Sequence, residues 1–134
     1  MSTVTYDKKV LDKMIRDIPR ELDALQDKQA ETIVNNIKLS FGTSPPGRTY
    51  KRGHTFHVAS IPRFPPNVDR GELRSKISWE APRRGMRRIW SKAGHSEALE
   101  LGTTKMAPRP YMVPEMMKAF TRLMDDLKRS GLFR

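Results

Sequence analysis

Prolines and glycines gather in one stretch of the chain, and this clustering limits the fold more than any other feature. Between residues 42 and 69 there are five prolines and three glycines: Pro45, Pro46, Pro62, Pro65, Pro66, Gly42, Gly47 and Gly53. Because proline disrupts helix interiors and removes a donor from a strand, no long regular element is expected here. We predict an extended basic loop over residues 42–69, with one short strand near residues 55–59.

The chain before this stretch has the periodicity of a helix. Apolar residues recur every three or four positions from Val10 to Ile18. A second run follows at Leu22, Leu25, Ala30, Ile33, Val34, Ile37 and Phe41. Pro19 lies between the runs, where it would kink or break the helix, or fit the first turn of a second helix. The second run predicts core packing, and the alternative is a seam against a partner helix.

The segment after the predicted loop has the pattern of a β-hairpin over residues 70–93. Apolar and polar residues alternate from Leu73 to Ala81, which indicates a half-buried strand, and residues 86–93 form the second strand. The turn between them is rich in arginine. This basic hairpin tip comprises Arg83, Arg84, Arg87 and Arg88. Such a basic surface is suited to contact with nucleic acid or with an acidic protein surface.

The last third completes a single α+β domain over residues 1–134. Residues 94–113 are predicted as a short element, either a helical turn or a strand, followed by an extended segment. Pro114 and Glu115 suit the first turn of a helix over residues 114–132, whose C-terminal stop is Gly131. We expect the long N-terminal helix and this C-terminal helix to pack on a small antiparallel sheet.

The net charge of +11 is unevenly placed. Residues 1–41 are balanced, residues 42–96 carry twelve basic and three acidic side chains, and residues 97–134 have a small basic excess. The absence of cysteine excludes a disulfide scaffold, a thiolate metal site and a cysteine nucleophile. No apolar run resembles a membrane span or a signal peptide, so we expect a chain made in a cytoplasm, with no membrane partner.

The residue pattern gives no positive sign of an enzyme. His54 and His57 lie three apart in the predicted loop, with too few nearby acids for a metal site. Glu97 and Glu100 are expected to be surface acids that pair with arginines rather than a catalytic carboxylate pair. No phosphate-binding loop or nucleophile motif occurs. We therefore expect no catalytic residues, no metal and no cofactor.

Nucleic-acid binding is the alternative function that the basic middle third suggests. In the predicted loop, cations alternate with an aromatic ring, an arrangement that single-strand binders use for phosphate contact and base stacking. The residues are Arg48, Tyr50, Lys51, Arg52 and Arg63. Long loops of this kind tend to be functional or to order on binding.

A series of motifs along the chain resembles one protein family. In order they are SPPGRTY at residues 44–50, HVASIP at 57–62, PPNVDRGELRSKI at 65–77, HSEALELGT at 95–103 and MAPRPYMVP at 106–114. The series is similar to the tail-completion, or head–tail joining, proteins of the neck of long-tailed bacteriophages (siphophages). The order and spacing agree over nearly the whole chain. Departures from the family pattern occur at Arg70, His95, Ser96 and Tyr111.

The resemblance implies a structural protein of the virion, assembled in the cytoplasm of the host bacterium. It implies a homo-oligomeric ring, six-fold, around the genome channel. The expected neighbours are a head-completion or stopper protein and a tail terminator or tail tube, with passing genomic DNA as a further contact. The basic loop is then the candidate contact with a neighbouring subunit or an adjacent ring, and we expect residues 44–68 to order on assembly. The basic hairpin tip is expected to face an acidic partner surface or the passing DNA. The signature and turn positions that it assigns are Pro66, Asp69, Gly71, Leu73, Ile77, Glu100, Gly102, Thr103, Pro108, Arg109, Pro110 and Pro114.

Overall fold

The computed structural model describes residue 5 and residues 7–131. Within these residues, the elements in chain order are α1 (Lys8–Ser40), β1 (Pro46–Arg52), β2 (Thr55–Ser60), α2 (Glu72–Ser75), β3 (Ile77–Arg83), β4 (Met86–Ser91), α3 (Ser96–Leu101) and α4 (Val113–Ser130). The strands form two antiparallel hairpins, β1–β2 and β3–β4. The predicted α+β class is confirmed, with two small sheets where one was expected.

Helix α1 runs without interruption through Pro19, so the expected break at this residue is wrong. Its N-cap is Asp7, whose carboxylate accepts the N–H of Lys9 at 2.8 Å. A proline inside a helix costs about 3 kcal/mol, because it removes one N–H and crowds the carbonyl four residues earlier. Helical sequence on both sides of Pro19, and the packing of the residues that follow it, outweigh that local cost.

The predicted loop over residues 42–69 contains the β1–β2 hairpin, which corrects that prediction. No proline lies in the interior of either strand, since Pro46 is the first residue of β1 and Pro62 follows β2. A first strand residue needs no ladder N–H. Gly53 has a φ of +61° in the two-residue turn between the strands, a conformation that glycine adopts without strain. The predicted short strand is confirmed as β2.

The β3–β4 hairpin confirms the prediction for residues 77–91 but not for residues 70–76. The latter include the short helix α2, which Gly71 starts with a φ of +75°. Leu73 was expected on a strand; it lies in α2 and is nevertheless buried. Alternation over residues 73–81 misleads here because Leu73 and Ile77, four apart, also share one face of a helical turn.

The core lies where the C-terminal half of α1 meets β3–β4 and α4. Ile37, Ile77 and Tyr111 are the large side chains that are almost fully buried. The rings of Phe41 and Tyr111 meet edge to face at a centroid distance of 5.4 Å. The core prediction for the second apolar run is confirmed at Ala30, Ile33, Val34, Ile37 and Phe41.

The short element predicted after the second hairpin is the helix α3, and the C-terminal helix is confirmed as α4. Gly131 ends α4 with a φ of +72°, as expected of a C-terminal stop. The predicted end at residue 132 lies outside the described residues, as do residues 1–4 and 6 of the predicted helical start. None of the helices in the described part of the chain has the length and apolar character needed to cross a bilayer.

Candidate functional site

Glu100 connects α3 to the start of α4. Its carboxylate accepts the backbone N–H groups of Tyr111, Met112 and Val113 at 2.9, 3.0 and 2.9 Å. The first N–H groups of a helix have no partner within the helix, and Met112, at the N-cap, has no capping side-chain bond. A negative charge at this end also interacts favourably with the helix dipole. The expectation that Glu100 pairs with an arginine is therefore wrong: it caps α4.

The chain between α3 and α4 folds back tightly at Gly102. Its φ is +77°, and a Cβ there would lie 2.9 Å from the Met106 carbonyl oxygen and 2.9 Å from the ring of Pro108. Thr103 donates its N–H to the same carbonyl at 2.8 Å. Only glycine fits this combination of backbone angle and close approach. Gly102 and Thr103 thus hold the turn that brings Glu100 to α4.

The segment around Pro108 joins this turn to the chain that follows β2. The Arg109 N–H donates to the Leu99 carbonyl at 2.7 Å, and its Nε donates to the Ser60 carbonyl at 3.2 Å. Arg63 donates its N–H to the Pro108 carbonyl at 2.9 Å, with a φ of +70°. Pro110 lies half-buried before Tyr111. Arg63, expected in a contact loop, has a backbone role within the chain.

The signature positions between β2 and β3 are structural as well. Pro66 is buried, and its carbonyl accepts the Gly42 N–H at 3.3 Å, which fixes the chain to the end of α1. Asp69 lies 2.5 Å from Arg52 and 3.6 Å from His57, so it connects this segment to the β1–β2 hairpin. Leu73 and Ile77 belong to the core. The assigned positions therefore support one local architecture.

Three arginines of the basic hairpin tip are bound to acids of the same chain. Arg87 Nε lies 2.5 Å from Asp27 and its Nη2 donates to the Asp23 carbonyl at 3.1 Å, with only 10% of the side chain exposed. Arg84 Nε lies 3.0 Å from Asp23, and Arg88 pairs with Glu80 at 2.9 Å. Within the described residues, only Arg83 of the four has no ion pair.

Further polar contacts hold β3–β4 against α1. Asp23 accepts the Gly85 N–H at 2.9 Å and Gln26 donates to the Gly85 carbonyl at 3.2 Å, so both sides of this turn residue are bound. The Gly85 N–H, together with Arg84 and Arg87, holds the pKa of Asp23 below its usual value. Trp79 Nε1 donates to Glu31 at 2.7 Å. The hairpin tip therefore packs against α1 of the same chain.

The β1–β2 hairpin leaves its cations and apolar side chains largely in solvent. The Arg48 guanidinium lies 5.3 Å from the centroid of the Tyr50 ring, and neither Arg48 nor Lys51 has a carboxylate partner within the described residues. Phe56 is 70% exposed. A cleft of about 820 Å³ lies between this hairpin on one side and α2 and His95 on the other. In residues 7–131 there is no group of histidine and carboxylate side chains that could hold a metal ion.

Helix α4 turns a polar face inward and an apolar face outward. The side chains that point towards α1 include Glu115, Ala119 and Asp126, and Gln29 of α1 donates to Asp126 at 2.7 Å. The outer face of α4, as we call it, consists of the exposed residues Val113, Met116, Met117, Phe120 and Met124. Sequence reasoning missed this orientation, although the spacing of Glu115, Ala119 and Asp126 along one face was visible.

A second exposed apolar surface lies at the N-terminal end of α1. Residues 8–21, the free half of α1, extend beyond the part of α1 that packs on β3–β4 and α4. Val10, Leu11, Met14 and Ile15 are all exposed there. The chain as a whole exposes 9962 Å², whereas a compact monomer of its 15.5 kDa mass exposes about 7,200 Å². The excess is about 2,700 Å².

Comparison with protein-family models, curated proteins and solved structures finds no match to this chain.

Proposed function

We propose that this chain is a structural subunit of a phage neck. Copies form a ring, six-fold, that completes the tail and joins it to the DNA-filled head around the genome channel. The observation that carries the proposal is the pair of exposed apolar helix faces, one on residues 8–21 of α1 and one on the outer face of α4. Such surface is typical of a subunit whose partners are missing.

The motif series supports the phage neck as the place of assembly. The positions that the resemblance assigns include a helix cap, a glycine turn and a core contact in this chain, at Glu100, Gly102 and Ile77 respectively. Residues used in this way define a shape rather than a reaction. A structural role, without catalysis or a cofactor, fits this use of the signature.

The partners of the proposed ring, above and below it along the channel, are other neck proteins. The β1–β2 hairpin, with exposed Arg48, Tyr50, Lys51 and Phe56, is our candidate for contact with a head-completion or stopper protein, a tail terminator or the tail tube. Arg83 is the tip arginine left for such a contact or for passing DNA. The virion is then the site of action, and the host cytoplasm the site of assembly.

Deletion of the gene from the phage that encodes it tests the proposal directly. We expect lysates with DNA-filled heads and separate tails in electron micrographs, because the joint between them is missing. Expression of the intact chain in trans should restore complete particles. Normal, infectious particles from the deletion strain would overturn the proposal.

Nucleic-acid binding remains the alternative function, favoured by the unpaired cations of β1–β2. If it holds, the purified chain binds DNA or RNA with an affinity that falls steeply with salt, since phosphate contacts release counterions. Replacement of Arg48 and Lys51 by Glu should abolish that binding. The matched control, Arg84→Glu with Arg88→Glu, alters two arginines that are already ion-paired. No binding at low salt would overturn this function, and binding that neither pair changes would overturn its assignment to β1–β2.

A further inference from the structure

Within residues 7–131, two exposed apolar faces have no partner, and both are helical. On α1, Leu11, Ile15 and Ile18 continue the line of the buried residues Ile33 and Ile37 at the helical period. The line is covered where β3–β4 and α4 pack on it. It is uncovered over residues 8–16, where every side chain is exposed. The face that builds the core in one half of α1 therefore meets solvent in the other half.

The outer face of α4 has a comparable size. It extends from Val113 to Met124, which is about 17 Å of helix, against about 20 Å for residues 8–21 of α1. Phe120 is 66% exposed and Met117 is 69% exposed. Methionine side chains adapt readily to the surface that they meet. The two faces thus match in length and in apolar character.

The free half of α1 is unable to cover the outer face of α4 in the same chain. Helix α1 is continuous through Pro19, and α4 lies along its C-terminal half, so the free half points away from α4. Reaching that face within one chain would require α1 to break and reverse. Two matching faces that do not meet within a chain can meet between chains.

We propose that the free half of α1 packs on the outer face of α4 of a second copy of this chain. Because the two faces differ, the contact is heterologous, and each copy offers one of each face to its neighbours. Repetition of such a contact closes into a ring when the rotation permits. This inference deepens the ring proposed above and rests on it, but it specifies which surfaces form the joint.

The exposed area is sufficient for this arrangement. A stable interface buries about 800 Å² on each partner, so a ring subunit with two neighbours buries about 1,600 Å². The excess surface of the chain, about 2,700 Å², exceeds that requirement. The remaining excess leaves the β1–β2 hairpin for a different contact.

Cysteine crosslinking tests the joint, since the natural chain has no cysteine. Chains with Ile15→Cys and chains with Phe120→Cys are mixed and treated with a short bis-maleimide. We expect crosslinked pairs that contain one chain of each kind, and a ladder of multimers from the doubly substituted chain. The control replaces Ile15→Cys by Lys13→Cys, an exposed position on the far side of α1, and should crosslink poorly.

A charge at the proposed joint gives a second test. Phe120→Asp should convert the oligomer to a monomer in light scattering, while the thermal unfolding midpoint stays within a few degrees, because the ring of Phe120 is mostly exposed. Lys118→Asp is the matched control: it places the same carboxylate on the opposite side of α4, where the Lys118 side chain is 64% exposed, and should leave the oligomer intact.

Several results would overturn the proposal. They are crosslinks of Ile15→Cys or Phe120→Cys chains only with their own kind, equal crosslinking of the Lys13→Cys control, or a natural chain that stays monomeric at its highest soluble concentration. These failures differ from failure of the neck role. If the deletion strain gives unjoined heads and tails but these crosslinks do not form, the neck role stands and the proposed joint fails. If the crosslinks form but the deletion strain gives complete particles, the joint stands and the neck role fails.

Discussion

The two hairpins of this protein are similar in sequence character and opposite in environment. Both are two-stranded, antiparallel and basic, and each turns through two residues. The β3–β4 hairpin is bound to α1 through Asp23, Asp27 and Glu31, and Ile77 reaches the core. The β1–β2 hairpin is connected to the rest of the chain by a few contacts, among them Asp69 with Arg52 and Arg109 with Ser60, and remains largely exposed. A basic segment is therefore available to a partner only where its own chain lacks the matching acids.

The largest expected difference between the hairpins is in the free energy of unfolding that their side chains contribute through core packing. Ile77→Ala should lower the free energy of unfolding by about 2–5 kcal/mol, since it removes a side chain that is 2% exposed. Val58→Ala, on the half-exposed side of β2, should cost less than about 1 kcal/mol. Urea denaturation followed by circular dichroism measures both. Equal losses would mean that β1–β2 is as much a part of the folding unit as β3–β4.

The arginines provide the next comparison. Arg87→Ala should cost about 1–3 kcal/mol, because it removes the bonds of a nearly buried guanidinium to Asp27 and to the Asp23 carbonyl. Arg52→Ala should cost less than about 1 kcal/mol, since its pair with Asp69 is at the surface. A double-mutant cycle of Arg87 with Asp27 isolates the pair. A coupling near zero would contradict the described attachment of the tip.

The turn glycines sharpen the comparison, because they are locally equivalent. Gly53 and Gly85 have φ values of +61° and +76°, and a Cβ at either would meet no atom within 4 Å. Alanine should therefore introduce a similar strain of about 1–2 kcal/mol at each turn. At Gly85 we expect it to lower global stability. At Gly53 we expect it to open only β1–β2.

Native-state hydrogen exchange distinguishes these two outcomes. In Gly53→Ala, the amides of Tyr50 and His57 should exchange faster while those of β3 and β4 are unchanged. In the assembled particle, the same β1–β2 amides should exchange more slowly than in the free chain, as the expected ordering of residues 44–68 requires. An identical rate in both states would remove that expectation.

The sequence predicted the helices and strands better than it predicted what each of them packs against. The period of α1, the residues of β3–β4 and the proline start of α4 follow from local preferences, which each segment carries in its own residues. The β1–β2 hairpin was missed because its prolines were counted over residues 42–69, although none lies between Pro46 and Pro62. The position of a proline relative to a strand matters more than its frequency.

The attachments between distant segments could not be read from local pattern. Arg87 meets Asp27 across 60 residues, and Glu100 reaches the start of α4 only because Gly102 reverses the chain. Neither contact has a periodic signal. The inward face of α4 is a different case: its spacing was visible in the sequence, but apolar periodicity is normally assumed to mark the buried side.

The smallest expected effect is the response of the β3–β4 tip to acid. The pKa of Asp23 is lowered in the folded chain, first by the Gly85 N–H and then by Arg84 and Arg87. The stability that this carboxylate contributes is therefore present above the ordinary pKa of aspartate and is lost as the pH falls through the lowered native pKa. Asp23→Asn should remove this part of the pH dependence. In a pH titration by NMR, the Gly85 amide should shift with Asp23, whereas the Gly53 amide, which has no carboxylate partner in residues 7–131, should not. Parallel shifts of both amides would mean that the two turns share an electrostatic environment, and the contrast between the hairpins would then rest on core packing alone.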